Sequence, residues 1–556
     1  RRSTKMKQKN FADTLYGPNR TWLIGTILIA IAIASPIAAI IWVAISPDEN
    51  VWSHLATSVL PTYIFNSVIL MVGVGTCVAI IGTGTAWLIA MCKFPGSNFF
   101  SWMLILPMAM PAYVVAYVYT DFLEFSGPVQ TLLRITFDWK TSQDYWFPEI
   151  RSAGGAITVL SLVLYPYAYA LTRAAFLEQS VSSAEAGRTL GRTAFQNFLY
   201  ISIPLARPAI VVGVTLALME TLSDFGTVDY FAVRTLTAGI FDVWFGMENR
   251  GGAAQIALVL LGFIVILIWL ERSSRKRQRV HNTSQKKAIV KIRLRGWHSC
   301  LAILACSLPV MLGFTLPTII LLDHALNNLE GFFSEKYIEY AFNSFSLAGS
   351  AALIIVIIGI LLAYASRICP NIFVKTAVRA ASIGYAIPGA ALAIGILIAV
   401  GAIDYLLTNT IGKFFSISAS ILVGGGITAL LFAYTTRFLA ISVGAAEAGL
   451  TKVTYNMDMV ARTLGSGATS TLFRVHAPLI RSSVITGAVL VFVDIMKELP
   501  ATLILRPFNF ETLATFVYQY ASDELLNESA PAALTIVLAG ILPVILLSRA
   551  IDQLNK

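Results

Sequence analysis

Four acidic residues lie within or at the ends of strongly apolar segments, in two pairs with the same spacing: Glu220 with Asp224, and Asp494 with Glu498. Ionisable side chains inside a membrane segment are costly and usually face a cavity or a partner. Their hard carboxylate oxygens suit a hard trivalent cation. The alternative is that they cap helix ends or pair with nearby cations. Those cations are Arg234, Lys497 and Arg506. The deeper positions of Glu220 and Asp494 favour a translocation path, whereas Asp224 and Glu498 favour the structural role.

The patterns of other common chemistries are missing from the sequence. It contains no Gly-x-x-x-x-Gly-Lys-Ser/Thr phosphate loop, so ATP hydrolysis through the usual phosphate cradle requires another polypeptide. The five histidines are scattered, and the five cysteines show no Cys-x-x-Cys pair or metal spacing. We therefore predict no catalytic residues, no fixed metal site and no cofactor bound by this chain. A membrane-embedded enzyme is the poorer hypothesis.

The composition indicates that the elements carrying these acids are membrane helices. The 556 residues are 57% hydrophobic and 13% charged, with a mean hydropathy of +0.74, which exceeds what soluble cores bury. Apolar runs of roughly 18 to 25 residues, long enough to cross a bilayer as helix, begin near twelve positions. They begin near residues 22, 64, 101, 153, 209, 253, 300, 344, 379, 418, 484 and 530. The prediction is an all-α polytopic membrane protein of about 12 transmembrane helices.

The distribution of charge predicts the orientation in the membrane. With a cytoplasmic N-terminus, most of the 40 basic residues fall on the cytoplasmic side and most acids fall outside. Both termini are then cytoplasmic, and the net charge of +10 reports topology, with no nucleic-acid partner. We predict that the basic segment 271–299 is a solvated cytoplasmic linker, although such a run could also bind anionic membrane lipid.

A repeated polar loop shows that the chain is built twice. The segment 185–191 recurs 274 residues later, at 459–465, and a proline follows each copy at the same interval. The recurring positions that we single out are Glu185, Ala186, Gly187, Gly191 and Pro204 in the first copy, and Met459, Val460, Ala461, Gly465 and Pro478 in the second. Further matches at an offset of 277 pair Phe65-Asn66-Ser67 with Phe342-Asn343-Ser344, and Pro111 with Pro388. The repeat predicts two parallel six-helix halves, at 1–270 and 300–556.

The loops, at 183–207 and 445–481, combine features that suit docking to a cytoplasmic partner. Glycine permits a turn that other residues resist, small residues allow close approach, and proline can start a new helix. We predict two short helices joined at a glycine in each loop. The outer segment 121–152 is longer than its counterpart and rich in aromatic residues. Membrane-interface anchoring and partner docking both remain open for that segment.

The two loops resemble the Glu-Ala-Ala-x-x-x-Gly-x9-Ile-x-Leu-Pro motif of binding-protein-dependent ABC import permeases. The first copy departs from it at Gly187 and Ile203. The second has Met459 in place of the glutamate, and Val460, Val475 and Ala477 at other motif positions. Glu447-Ala448-Gly449 imitates the motif, but position 453 is valine and no proline follows at the right distance.

The whole chain resembles the fused two-half permeases of ferric-iron importers, most specifically over 494–503 and its continuation to 514. The resemblance implies a type I ABC importer permease that moves iron by alternating access. Its implied partners are two copies of a cytoplasmic ATPase, which carry ATP-Mg and receive the loops, and an external binding protein. A bacterial inner-membrane location is also implied. Importers of thiamine, polyamine or sulfate are the substrate alternatives, and an ion-coupled secondary transporter is the alternative mechanism.

Overall fold

A computed structural model describes most of the chain, and almost all of its regular structure is helical. The described residues are 20–47, 49–178, 193–276, 291–369, 371–407 and 426–553. Within them, the strands are β1 (Cys92–Lys93) and β2 (Ile292–Arg293), which pair in parallel. The predicted all-α polytopic class is confirmed.

The chain separates into two compact units. Unit 1 comprises Arg1–Asp48 and Tyr340–Thr512, and unit 2 comprises Glu49–Glu339 and Leu513–Lys556. These units do not coincide with the halves predicted at 1–270 and 300–556. The reason is that the first helix of the chain packs inside unit 1, against helices at 372–381 and 389–407, while the helix at 316–327 packs inside unit 2. The two halves, and the linker between them, remain a prediction about the sequence repeat.

Unit 2 contains 15 of the 24 α-helices in the described part of the chain. They are α2 (Trp52–Ser58), α3 (Leu60–Met91), α4 (Ser97–Met103), α5 (Ala112–Leu123), α6 (Pro128–Phe137), α7 (Ala153–Leu177), α8 (Ala194–Asn197), α9 (Ile203–Ser223), α10 (Gly226–Tyr230), α11 (Leu236–Phe241), α12 (Arg250–Lys276), α13 (Trp297–Val310), α14 (Leu316–Asn327), α23 (Leu513–Ser522) and α24 (Leu526–Gln553). At the far end of the predicted linker, Lys291 Nζ donates to the carbonyl of Ile89 at 2.9 Å beside the β1–β2 pair.

Unit 1 contains the remaining helices. They are α1 (Arg20–Ile45), α15 (Glu335–Ile368, which begins at the unit boundary), α16 (Ile372–Ala381), α17 (Gly389–Leu407), α18 (Ile427–Leu450), α19 (Tyr455–Thr463), α20 (Ala468–Thr471), α21 (Ala477–Met496) and α22 (Pro500–Leu505). Among the described residues of both units, ten helices are long and apolar enough to cross a bilayer, or twelve if two bent pairs each count as one span. The twelve predicted runs match this arrangement.

The two bent pairs occur where the sequence repeat places its matching prolines. Ser97–Ala109 meets Ala112–Phe137 at 90°, and Ile372–Ala386 meets Gly389–Ile403 at 119°. Pro111 and Pro388 stand at these breaks, and the residue before each has extended backbone. A proline disfavours helical backbone in the residue before it, so each helix stops there and a new one starts in another direction.

Three helices contain a wide π-helical turn at a fixed distance before a proline. The turns are Phe198–Ser202, Met311–Thr315 and Leu472–His476, and the prolines follow as Pro204, Pro317 and Pro478. In each case the residue just before the proline donates its N–H five residues back. Proline has no N–H and crowds the carbonyl four residues earlier, which explains the local widening.

Equivalent glycines allow the central helices of each unit to approach closely. A Cβ on Gly213 in α9 would lie 2.6 Å from Ala168 Cα in α7, and a Cβ on Gly487 in α21 would lie 2.7 Å from Ala445 Cβ in α18. The two glycines are 274 residues apart, the offset of the repeated loops. Both units therefore hold the helix that follows the loop against a buried neighbour in the same way.

Candidate coupling loops and translocation path

The first predicted docking loop lies largely outside the described residues. Glu185, Ala186, Gly187 and Gly191 all fall within 179–192, so their roles remain predictions. The described part begins at Thr193, and Pro204 is the second residue of α9 after the π turn.

The second loop is described completely and has the predicted form of short helices joined at a glycine. Helix α19 ends at Thr463, Gly465 follows with φ of +78°, and α20 starts at Ala468. Nothing lies within 4 Å of a Cβ built on Gly465, so its backbone conformation is what favours glycine. The chain then passes through the π turn into α21, where Pro478 is the second residue.

Helix α19 presents an exposed apolar face. Met457 and Val460 of α19, together with Leu464 directly after the helix, follow the spacing of one helix side and are 43%, 56% and 79% exposed. Met459, at the position of the missing glutamate, is 45% exposed, while Ala461 points inward and is buried. An apolar stripe of this kind outside a spanning helix is a surface suited to a protein partner.

The opposite face of α19 is fixed to the rest of unit 1 by a charged cluster that the sequence analysis did not predict. Asp458 Oδ2 accepts from Arg367 Nη2 at 2.8 Å and from Nε at 3.0 Å, and Asp458 Oδ1 lies 2.5 Å from His476 Nε2. Arg367 lies in the last turn of α15, and His476 is the last residue of the π turn. Two features of the sequence could have indicated this cluster. Asp458 directly precedes Met459, which replaces the motif glutamate, and His476 stands where the first copy has Ser202.

Asp224, the residue directly after α9, caps a short helix. Asp224 Oδ2 accepts the N–H groups of Thr227 and Val228 at 3.2 Å each, and its Oδ1 accepts the Thr227 hydroxyl at 3.0 Å. These contacts satisfy free N–H groups at the start of α10. This geometry is the helix cap that the sequence analysis gave as the alternative to a path role for Asp224.

Glu498 repeats that arrangement in unit 1 and adds a buried cation. Its carboxylate accepts the N–H groups of Ala501 and Thr502 at 3.2 and 3.1 Å and the Thr502 hydroxyl at 2.9 Å. Arg437 Nη1 lies 3.5 Å from Glu498 Oε1, and both side chains are buried. Glu498 therefore caps α22, but it pairs with Arg437 and not with the cations named from the sequence.

The two deeper acids lie in different units. Asp494 forms an ion pair with Lys497 at 3.0 Å, and both side chains are about one-fifth exposed. Glu220 is partly buried near the end of α9. The proposed facing of Glu220 and Asp494 across a symmetry axis remains a prediction. Arg506, another cation named from the sequence, pairs with Glu511 instead.

Comparison with known proteins identifies the class of protein that carries these loops. Residues 79–280 match the family described as binding-protein-dependent transport system inner membrane component. The chain is 26% identical to the Fe(3+)-transport system permease protein FbpB 2 of Haemophilus influenzae, over 87% of this chain and 89% of that protein. These similarities support a fused two-half ABC importer permease. The chain has the type I permease fold and is a multi-pass inner-membrane protein.

Shorter permeases match only part of the fused chain. The molybdenum transport system permease protein ModB of Escherichia coli is 29% identical over 34% of this chain and 85% of its own length. The sulfate transport system permease protein CysT of Synechocystis is 23% identical over 48% of this chain and 92% of its own length. The permease thus resembles proteins named for a cation and proteins named for oxyanions. Members of the matched family work with an ATPase and a substrate-binding protein.

The described residues of the permease hold no cluster of three or more His, Cys, Asp or Glu side chains that could bind a metal. Three of the four predicted path acids form helix caps or ion pairs: Asp224, Glu498 and Asp494.

The aromatic segment after α5 folds into an ordered structure with a cavity of about 590 Å³. Trp139 stacks on Tyr145 with ring centroids 4.7 Å apart, and Tyr145 donates to Gln130 at 2.5 Å. Arg151 closes one side through a 2.6 Å ion pair with Glu124. Trp146 is 85% exposed.

Proposed function

We propose that this permease moves ferric iron from an external binding protein into the cytoplasm by alternating access. Two copies of a cytoplasmic ATPase carry ATP-Mg and receive the two loops, so the chain itself is a transport subunit and not an enzyme. In this proposal both termini are cytoplasmic, as the distribution of basic residues predicts.

The observation that carries the docking proposal is the two-sided character of α19. Its inner face is fixed by Asp458 to Arg367 and His476, while Met457, Val460 and Leu464 are exposed on the outer side. A fixed helix with an exposed apolar stripe loses little conformational freedom when a partner covers it, which favours association. Because the segment 459–465 matches 185–191 in the repeat, we extend the docking proposal to the first loop.

Iron is supported by the similarity to FbpB 2, which extends over most of both chains. The carboxylates at Glu220 and Asp494 also suit a hard cation better than an oxyanion. Transport of molybdate or sulfate is the competing proposal, because ModB and CysT match as well. Thiamine and polyamines are alternative substrates, and the same transport assay tests them.

Docking is tested by changing the apolar face of α19 while its inner face stays intact. Leu464→Asp places a charge at the most exposed apolar position of the stripe, and co-purification with the ATPase should fall at least tenfold. Met459→Glu is the matched control, because it adds a charge to the same helix while restoring the glutamate of the family motif. We expect Met459→Glu to retain the ATPase. Equal retention of the ATPase by both variants would contradict docking through this face.

The glycine turns give a second test of docking. Gly191→Asp and Gly465→Asp should weaken ATPase association or separate hydrolysis from uptake while leaving membrane insertion intact. At Gly465 the reason is the positive φ, which disfavours a side chain. Normal association and transport in both variants would remove the docking assignment.

The substrate and path are tested by uptake into proteoliposomes that contain the permease with its ATPase and its loaded binding protein. Radioactive iron should accumulate on ATP addition, and excess molybdate, sulfate, thiamine or polyamine should not compete. Glu220→Gln combined with Asp494→Asn should lower uptake while both partners still bind. Unchanged uptake at matched expression would leave these acids with structural roles only.

A further inference from the structure

We infer that Arg367, Asp458 and His476 form a positioning device, here called the loop clamp, that transmits movement between the second coupling loop and the membrane helices α15 and α21. This inference rests on the proposed docking of α19 to an ATPase. It concerns what happens after docking, since the clamp lies on the face of α19 turned away from the exposed stripe.

Arg367 connects three segments through its guanidinium group. Nη1 donates to the carbonyl of Leu450 at 2.6 Å, and Nη2 donates to the carbonyl of Val453 at 2.9 Å. The same group binds Asp458 through Nε and Nη2. Leu450 is the last residue of α18, where carbonyls have no partner within the helix. Arg367 therefore joins the end of α15, the end of α18 and the inner face of α19.

His476 extends the clamp to the helix that leaves the loop. The ring is fully buried, and Nε2 lies 2.5 Å from Asp458 Oδ1. An ionised carboxylate only accepts hydrogen bonds, so Nε2 carries the hydrogen in this contact. His476 is the last residue of the π turn before α21. A displacement of α19 thus acts on the start of α21 through one carboxylate.

Aromatic packing fixes the remaining side of the histidine. Tyr364, one helical turn before Arg367, meets the His476 ring edge-on with centroids 5.2 Å apart, and its hydroxyl donates to the carbonyl of Ala468 at 2.8 Å. Trp22 of α1 also packs edge-on against Tyr364, with ring centroids 5.2 Å apart. The clamp is therefore held in one geometry by buried neighbours, as transmission of a small displacement requires.

The sequence of the first loop differs from that of the second at two positions of the clamp. At the same offset of 274 residues, the first copy has Ala184 for Asp458 and Ser202 for His476. An alanine cannot form an ion pair, so the Asp458 contacts cannot be repeated by the residue at position 184. The second loop has in turn lost the motif glutamate, which is Met459. The clamp residues therefore occur in the loop copy that has lost the motif glutamate.

The test measures coupling in the assembled complex as iron taken up per ATP hydrolysed. Asp458→Asn and His476→Ala should lower that ratio at least fivefold while ATPase association stays near the wild-type level, because the exposed stripe is unchanged. His476→Gln should recover most of the ratio, since its amide can donate to Asp458 from about the position of Nε2. Glu447→Gln is the matched control, because this exposed acid lies at the end of α18, close in sequence to the clamp, and the ratio should not change.

A second measurement on the permease alone separates the inference from the proposed function. Hydrogen exchange of the 455–463 amides should become at least tenfold faster in Asp458→Asn and stay unchanged in Glu447→Gln. Wild-type coupling in both clamp variants would overturn the inference, as would loss of the ATPase in them, since the cluster would then only fold the loop. Failure of the wild-type permease to bind an ATPase would overturn the docking proposal and the clamp with it.

Discussion

Replacing Glu498 by glutamine should destabilise unit 1 more than any other conservative change among the four path acids. The substitution preserves shape but removes the charge that faces Arg437. Both side chains are below one-tenth exposed, at 2% for Glu498 and 9% for Arg437. Because the N···O distance is 3.5 Å, the interaction is mainly coulombic, and its loss leaves a buried guanidinium without a counter-charge.

The magnitude follows from that burial. Removing one partner of a buried ion pair costs about 3–5 kcal/mol. Asp224→Asn is the matched control, because Asp224 makes the same three capping contacts and has no ion-pair partner among the described residues. It should cost about 1 kcal/mol or less. Asp494→Asn breaks a partly exposed pair and should cost about 0–1 kcal/mol.

The assay is the free energy of unfolding of the purified permease, from titration with a denaturing detergent, completed as a double-mutant cycle. Arg437→Met in the Glu498→Gln background removes the orphaned cation and should recover most of the loss. The reasoning fails if Glu498→Gln costs no more than Asp224→Asn. It also fails if the second substitution recovers nothing.

Three further predictions concern packing, pH and helix geometry. Gly487→Leu should lower the melting temperature, because even its Cβ would lie 2.7 Å from a neighbouring side chain; Gly444→Leu, with no atom within 4 Å of a Cβ, should not. The pKa of Asp144 lies below its ordinary value of 3.8 because the N–H groups of Thr141 and Lys140 bind the carboxylate. Order in this loop should therefore persist at neutral pH and be lost as pH falls through that lowered pKa, seen in Trp139 fluorescence and absent in Trp139→Phe. Pro478→Ala restores an N–H that lets the preceding π turn revert to α-helix, so iron uptake per ATP should fall; an unchanged ratio would count against a role for the wide turn.

The spans and the repeat could be predicted because they depend on local features. Apolar length locates the helices, and Pro111 and Pro388 mark breaks because proline acts on its immediate neighbours. The turn at Gly465 was predictable for the same reason. The bend angles of 90° and 119° were not, since they depend on packing between distant segments.

The partners of charged residues were harder to predict, because a pairing depends on which helices become neighbours. Lys497 was correctly named as a partner, for Asp494, since it lies one turn away on the same chain segment. Arg437 is far from Glu498 in sequence, and only the packing of α18 near α22 brings them together. The loop clamp was missed for that reason, as Arg367 and Asp458 are also far apart in sequence.

The break at Pro388 has a consequence for where charge can be stored in this protein. Gly389 follows the break, and a Cβ there would collide with the Arg437 guanidinium and lie 2.6 Å from Glu498 Oε1. The corresponding residue after Pro111 is Ala112, and its unit has no arginine at the matching position, where Val163 stands. Gly389 therefore leaves room for the Arg437–Glu498 pair in unit 1, whereas unit 2 has a methyl group and no arginine at the matching positions. Both repeats keep the helix break at the matching proline. They differ in the buried charges that lie beside it.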